Sequence, residues 1–257
     1  MSGGTRLRHV EHAMGTVFSF DVRMAAAGDS PRVRAGLAAT VAGLHRVDEI
    51  FSTYREDSQI SRLARREITL DDCVTEVAEV FRLCEDAERE SDGWFTARYA
   101  GGLDPTGVVK GWAVECAVRM LASSGADAVC LNGGGDIQLH GGPWRVGVSD
   151  PLHPGELVTV IEAGDGLAVA TSGPAERGCH ILDPHTRRPP ADGIASMTVV
   201  CPGLTEADAR ATAAYAMGDR ARGWLEDLTG TEAFAVLADG STWQTSGFAR
   251  HSAQLPA

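Results

Sequence analysis

Between Val108 and Leu121 apolar pairs recur every four residues (Val108/Val109, Trp112/Ala113, Cys116/Ala117, Met120/Leu121), and past Ser123 the texture changes to short β-branched runs separated by Gly, Pro and Asp. The first pattern turns one helix face toward a core. The second, in DAVCLN, DIQLH, WRVGVSD, LVTVIEAG and GLAVATS, is that of strands joined by turns. A chain whose helical and strand patterns come in blocks, without strict alternation, is expected to be α+β with a largely antiparallel sheet.

The flanking segments fit that class. HVEHAMGTVFSFDVRM is rich in β-branched and aromatic residues and reads as a strand or hairpin arm, followed by the turn-like AAAGDSP. Leu37, Val41, Leu44, Val47 and Phe51 predict a helix from Val33 to Phe51. A second helix is expected from about Val74 to Glu90, closed by Asp92 and Gly93, and a third from near Pro105 to near Ser123. SMTVVC should form a strand leading into a helix from about Glu206 to Met217, with a helical stretch around Ala221 to Leu228 after it. FAVLAD and TWQTSGF read as a closing hairpin. No repeat or clear linker divides the 257 residues, so one large domain, with two closely joined lobes as the variant, is expected.

Composition narrows the function. With 23 basic against 35 acidic residues and a formal charge of −12, the chain does not suit general nucleic-acid binding. No stretch has the length and apolarity of a membrane span. The start carries no apolar segment of signal-peptide length and no Cys suited to lipid attachment. The cysteines, Cys73, Cys84, Cys116, Cys130, Cys179 and Cys201, lack CxxC spacing and read as buried reduced thiols. A cytoplasmic protein without a membrane anchor is the expectation.

Four segments could carry chemistry. In LDPTGVVKG, Asp104 and Pro105 read as N-cap and first residue of a helix. The same helix start offers free N–H groups to a phosphate, Lys110 adds a full charge less than two turns on, and Gly107 and Gly111 leave room for a ligand beside the backbone. In TEADARATAAYAMG, Thr205 and Asp208 have capping-box spacing, yet Asp208 and Thr212 also share a helix face and are hard oxygen donors suited to Mg²⁺. The three glycines Gly133 to Gly135 before Asp136 read as a tight hairpin or as bare backbone against a flat ligand, and they match neither a P-loop nor GxGxxG. His180, in CHILDP, is either structural or a proton carrier, and the basic cluster Arg187 and Arg188 after it reads as a solvated loop.

Taken in order, HAMGT, FSTYREDSQISRL, LDPTGVVKGWAVE, LNGGGDIQLHGG, WRVGVSDP, ATSG, CHILDPHT and EADARATAAYAMG resemble the ApbE-type FAD:protein FMN transferases over nearly the whole chain. The resemblance implies a two-lobed α+β fold related to T-folds, with FAD in a cleft between the lobes. It also implies Mg²⁺-assisted cleavage of the pyrophosphate, with FMN passing to a Ser or Thr of a target protein and AMP leaving. Carried over residue by residue, it places FAD contacts at Met14, Tyr54 or a neighbour, Trp94, Phe95, Thr96, Asp104, Lys110 and Leu182 or Ile181. It places metal ligands at the carbonyl of Gly107 and the side chains of Asp208 and Thr212. His180 is the candidate proton acceptor, with Asp208 second. Three departures stand out: Thr96 where many members carry Asp or Asn, DPHTRRP in place of DPxTGxP, and the absence of the export signal that familiar members carry. An FAD pyrophosphatase releasing FMN and AMP, or a non-catalytic FAD-binding protein, are the alternatives.

Overall fold

The computed structural model describes residues 5–25, 31–99, 102–174, 181–190 and 193–253. Strands β1 (Thr5–Ala13) and β2 (Thr16–Met24) come first, followed by helices α1 (Pro31–Phe51), α2 (Gln59–Ala64) and α3 (Thr75–Glu90). The short strands β3 (Arg98–Tyr99) and β4 (Gly102–Leu103) lead into α4 (Thr106–Ser123). Six strands follow: β5 (Ala128–Gly133), β6 (Asp136–His140), β7 (Trp144–Ser149), β8 (Leu157–Ala163), β9 (Ala168–Ser172) and β10 (Ile194–Cys201). Helices α5 (Leu204–Met217) and α6 (Ala221–Asp227) precede β11 (Glu232–Leu237), β12 (Thr242–Gln244) and β13 (Ser252–Ala253).

The α+β class is observed, and the long helices begin and end within one or two residues of their expected limits. Helix α2 was not legible, because six residues are too few to display a periodic apolar face. It is held instead by a local device, the Ser58 hydroxyl accepting from the Ser61 N–H at 3.0 Å.

An eight-stranded sheet runs in the order β1-β2-β5-β6-β9-β10-β11-β12, and a three-stranded sheet in the order β13-β8-β7. All the pairings within both are antiparallel. The large sheet is covered on both faces over much of its width. Met197, Val199 and Cys201 of β10 join the apolar cluster under the helices, while Val200 joins a second cluster with Val146, Val148 and Ile161 of the small sheet. Every position of β10 is therefore buried, as expected of a strand sandwiched between two layers. Strand β2 shows the contrasting case: Phe18, Phe20, Val22 and Met24 face the helices, and Val17 is 41% exposed.

Both hairpins that end near the same side of the sheet use two-residue turns of positive φ. Gly134 (60°) and Gly135 (95°) join β5 to β6, and Met14 (52°) and Gly15 (68°) join β1 to β2. Such turns match the twist of the flanking strands and favour glycine.

Helix α4 crosses the start of α5 at close range. A Cβ on Gly111 would lie 2.7 Å from the carbonyl oxygen of Leu204, and one on Gly107 would lie 2.9 Å from the ring of Phe95. The expectation that Gly111 admits a ligand is therefore corrected: its missing side chain admits the backbone of α5. Ala207, Ala211 and Ala214 of α5 are buried as well, small side chains on the packed faces of this helix. Among the described residues the five cysteines are free thiols, and burial pushes Cys84 up to about 12 and Cys130 and Cys201 up to about 11, which keeps them unreactive at neutral pH. Cys179 lies outside the described residues.

The two glycines should respond differently to alanine. Helix propensity favours Gly→Ala by about 1 kcal/mol, whereas forcing a methyl into packed backbone costs about 1–3 kcal/mol. Gly111→Ala meets immovable backbone and should lose stability in urea unfolding. Gly107→Ala meets the far edge of a side chain in place of backbone and should lose less. A gain in stability for Gly111→Ala would contradict the crossing described here.

Candidate functional site

The start of α4 is fixed by its own sequence. Asp104 Oδ1 accepts from the Thr106 N–H at 3.0 Å and from the Thr106 hydroxyl at 2.6 Å. The expectation of Asp104 as N-cap and Pro105 as first helical residue is therefore corrected: Pro105 is the N-cap, Thr106 is the first helical residue, and Asp104 holds the helix start from one residue before the cap. Proline is tolerated there because its missing N–H lies among those that no helical carbonyl would receive.

The start of α5 is fixed from outside. The Thr205–Asp208 capping box does not form: Gly203 is the N-cap and no side chain caps from that position. Glu115, on α4, takes the role, accepting from the Thr205 hydroxyl at 2.6 Å and the Thr205 N–H at 3.2 Å. Gln138 Oε1, on β6, accepts from the Leu204 N–H at 2.8 Å. Further along, Arg210 makes a two-pronged pair with Glu90 at the end of α3, at 2.7 and 2.9 Å. These ties leave Asp208 free to serve elsewhere and hold its helix face at a set angle.

That face borders a cleft of about 630 Å³ at the end of the large sheet, a size suited to a small-molecule ligand. One wall is the first turn of α4 (Thr106, Gly107, Lys110) with Phe95, Thr96 and Asp104. Asp208 and Thr212 of α5, the Gly134–Gly135 turn with Asp136, and Thr171 to Gly173 at the end of β9 form the middle. Val146 to Pro151, Ala195 and Ser196 close the far side, toward the small sheet.

At the centre, the Lys110 ammonium stands between two carboxylates. It pairs with Asp136 Oδ2 and lies 3.2 Å from Asp208 Oδ2. The second contact is a charge contact without hydrogen-bond geometry, because Asp208 Oδ2 has no hydrogen-bond partner in the protein. The three side chains are 13%, 5% and 10% exposed, so their charges act through a poorly screened medium. Thr212 Oγ1 lies 3.4 Å from Ser172 Oγ, one helical turn beyond Asp208. Ser196 Oγ, on the far side, is also buried without a partner. Buried polar atoms lacking partners are rare and costly in folded proteins, and both orphans found among the described residues line this cleft. The Asp208 carboxylate with the Thr212 hydroxyl one turn on could hold a hard divalent cation, with phosphate oxygens and water completing the shell.

The cleft gathers Phe95, Thr96, Asp104, Gly107, Lys110, Asp208, Thr212 and Ile181. Met14, Tyr54, Trp94 and Leu182 are not among its lining residues. Met14 sits in the β1–β2 turn and packs partly against the main core, and Tyr54 is 98% exposed after α1. Trp94 stacks edge-on against His185 at 4.5 Å, with the Arg220 guanidinium 5.8 Å from its ring. His180 lies outside the described residues.

Sequence reasoning did not single out Asp136, Ser172 or Ser196 as site residues. Asp136 had a usable signal, since it follows the turn glycines and shares a face of β6 with Gln138, which caps α5. Ser196 had none.

The model of the ApbE family matches residues 14–102 and 96–235. A FAD:protein FMN transferase of Vibrio cholerae is 33% identical over 131 residues, 46% of this chain and 39% of that protein. One of Rhodobacter capsulatus is 33% identical over 156 residues, 56% of this chain and 29% of that protein. The matched region thus spans less than half of these relatives' length. Among solved structures, the flavin transferase ApbE of Vibrio cholerae superposes with a TM-score of 0.81 at 21% identity, covering 97% of this chain and 100% of that one. The apo flavinyl transferase ApbE of Pseudomonas stutzeri gives 0.83 at 20% identity, covering 96% and 97%. These structural likenesses establish the fold.

The external capping of α5 makes a direct prediction. Glu115→Ala removes the acceptor of two donors and should cost about 1–2 kcal/mol, the range of a lost helix cap. Glu115→Gln keeps an acceptor oxygen and should lose less in the same denaturation experiment. Equal losses would show that the carboxylate does not act as a cap.

Proposed function

The chain belongs to the ApbE family, and we propose that it transfers FMN from FAD to a Ser or Thr hydroxyl of a target protein, with Mg²⁺ and with AMP as the leaving group. The observation that carries this reading is the buried, unbonded Oδ2 of Asp208 beside the Lys110 ammonium in the cleft. A cation ligand and a phosphate ligand stand there side by side, and cleaving a phosphoanhydride is mainly a matter of positioning and of stabilising charge on phosphoryl oxygens.

In this proposal Asp208, Thr212 and the Gly107 carbonyl hold Mg²⁺, which when bound neutralises charge on the pyrophosphate oxygens. Lys110 and the first turn of α4 receive the phosphates, and Phe95 and Thr96 border the flavin end. The acceptor oxygen attacks the FMN phosphorus, the bond from that phosphorus to the bridging oxygen breaks, and AMP departs with the bridging oxygen. The hydroxyl proton goes to His180, with Asp208 the second candidate. Free thiols among the described residues support a reducing compartment, and so a cytoplasmic acceptor. No described helix is long and apolar enough to cross a membrane.

Incubation with FAD and Mg²⁺, with and without candidate acceptor proteins, should release AMP and add the mass of FMN to the acceptor. Asp208→Ala should lower AMP release by more than about a hundredfold, beyond the usual loss from outer-shell changes at metal sites. AMP release that does not depend on an acceptor would favour the pyrophosphatase. No AMP under any condition would overturn both enzymatic readings.

A further inference from the structure

Asp136 enters none of the roles above, yet it is 3% exposed and has partners on both oxygens. Its Oδ1 accepts from the Thr171 N–H of β9 at 3.0 Å, and its Oδ2 pairs with the Lys110 ammonium. The backbone explains the first contact. Pairing of β6 with β9 runs through Gln138↔Ala168 to Ile137↔Val169 and goes no further, and Asp136 takes up a β9 amide just beyond that point. The two-residue glycine turn before it fixes where β6 begins. Asp136 is thus anchored to the sheet independently of either helix.

We infer that Asp136 is a positioning residue that draws the Lys110 ammonium out of hydrogen-bond geometry with Asp208 and so keeps Asp208 Oδ2 open to a divalent cation. The inference rests on the metal reading of the site. Lys110 on α4 and Asp208 on α5 face each other where the helices cross at Gly111, so the ammonium and an incoming cation compete for one carboxylate. A second carboxylate, fixed on the sheet, decides that competition. With the Asp136 carboxylate in place, the ammonium has its counter-charge elsewhere and stands 3.2 Å from Asp208 Oδ2 without a hydrogen bond to it. With that carboxylate replaced by an amide, Asp208 would be the nearest counter-charge left, and the ammonium would move onto it. The same tether keeps the Lys110 head inside the cleft, where a phosphate would meet it.

The test is binding of Mn²⁺ alone, as a stand-in for Mg²⁺, followed by the loss of the free-ion EPR signal without any flavin present. Asp136→Asn keeps an acceptor for the Thr171 amide and removes the charge. It should weaken Mn²⁺ binding about tenfold, the scale of one modest change in charge pairing. Lys110→Met should bind Mn²⁺ more tightly than the unaltered chain, since the competing ammonium is gone. The double variant Lys110→Met/Asp136→Asn should bind Mn²⁺ within about threefold of Lys110→Met, because Asp136 acts through an ammonium that is no longer there, a non-additivity expected of coupled neighbours. That variant removes a cation and an anion together, so it is the arm least exposed to a folding defect.

Unchanged binding in Asp136→Asn would overturn the inference. So would a double variant as weak as Asp136→Asn, because Asp136 would then be a cation ligand or a purely structural group. Weaker binding in Lys110→Met would also overturn it. Asp208→Ala, run alongside, separates the two levels. If it binds Mn²⁺ as the unaltered chain does, the metal reading fails and this inference with it. If it loses binding while Asp136→Asn keeps it, the inference alone fails.

Discussion

The close crossing of α4 over the first turn of α5 is the contact on which the rest of the site depends. Gly111 has no side chain where the Leu204 carbonyl passes, so the helices approach at backbone distance. Lys110 is the residue before that glycine, and Asp208 lies one turn after Leu204. Bringing the backbones together therefore brings the ammonium to the carboxylate. One turn earlier, Gly107 allows the Phe95 ring to lie against the same helix, so a single glycine spacing sets two walls of the cleft. A side chain at Gly111, which is not among the lining residues of the cleft, would act on the site through geometry alone.

The sheet supplies what the helices lack. Asp136 is anchored by a β9 amide, and Gln138, two residues on and on the same face of β6, caps α5. Helix α5 is thus tied to the sheet through Gln138, to α4 through Glu115 and to α3 through Arg210. Three ties from three elements leave its inner face little freedom, as a site of fixed geometry requires. The other side of the large sheet is covered by the small one, and the cleft opens where the layers part, which gives it an apolar flank at Val146 and Val148 next to a charged centre.

Much of this was legible in the sequence because it is written locally. The four-residue pairs of α4, the glycine turn before Asp136 and the block order of helices and strands each follow from residues close together in the chain. What failed did so for a common reason. Thr205 has the spacing of a capping box, but an acceptor 90 residues earlier, Glu115, wins its hydroxyl. Gly111 looked like space for a ligand, and only the fold shows that a second backbone fills it. Asp104 was expected at the N-cap that Pro105 occupies, since the choice between the two turns on dihedral angles that composition does not express. Ser196 is an unremarked Ser in a buried strand until the layers above and below it are known. Local signals find elements; partners across the fold decide what each polar side chain does.

The most direct test of the account is a crystal structure of the chain with FAD and Mn²⁺. The pyrophosphate should lie against Lys110 and the first turn of α4, with anomalous density for the metal between Asp208 and Thr212. FAD bound away from this cleft, or metal density absent from Asp208 with FAD in place, would contradict it.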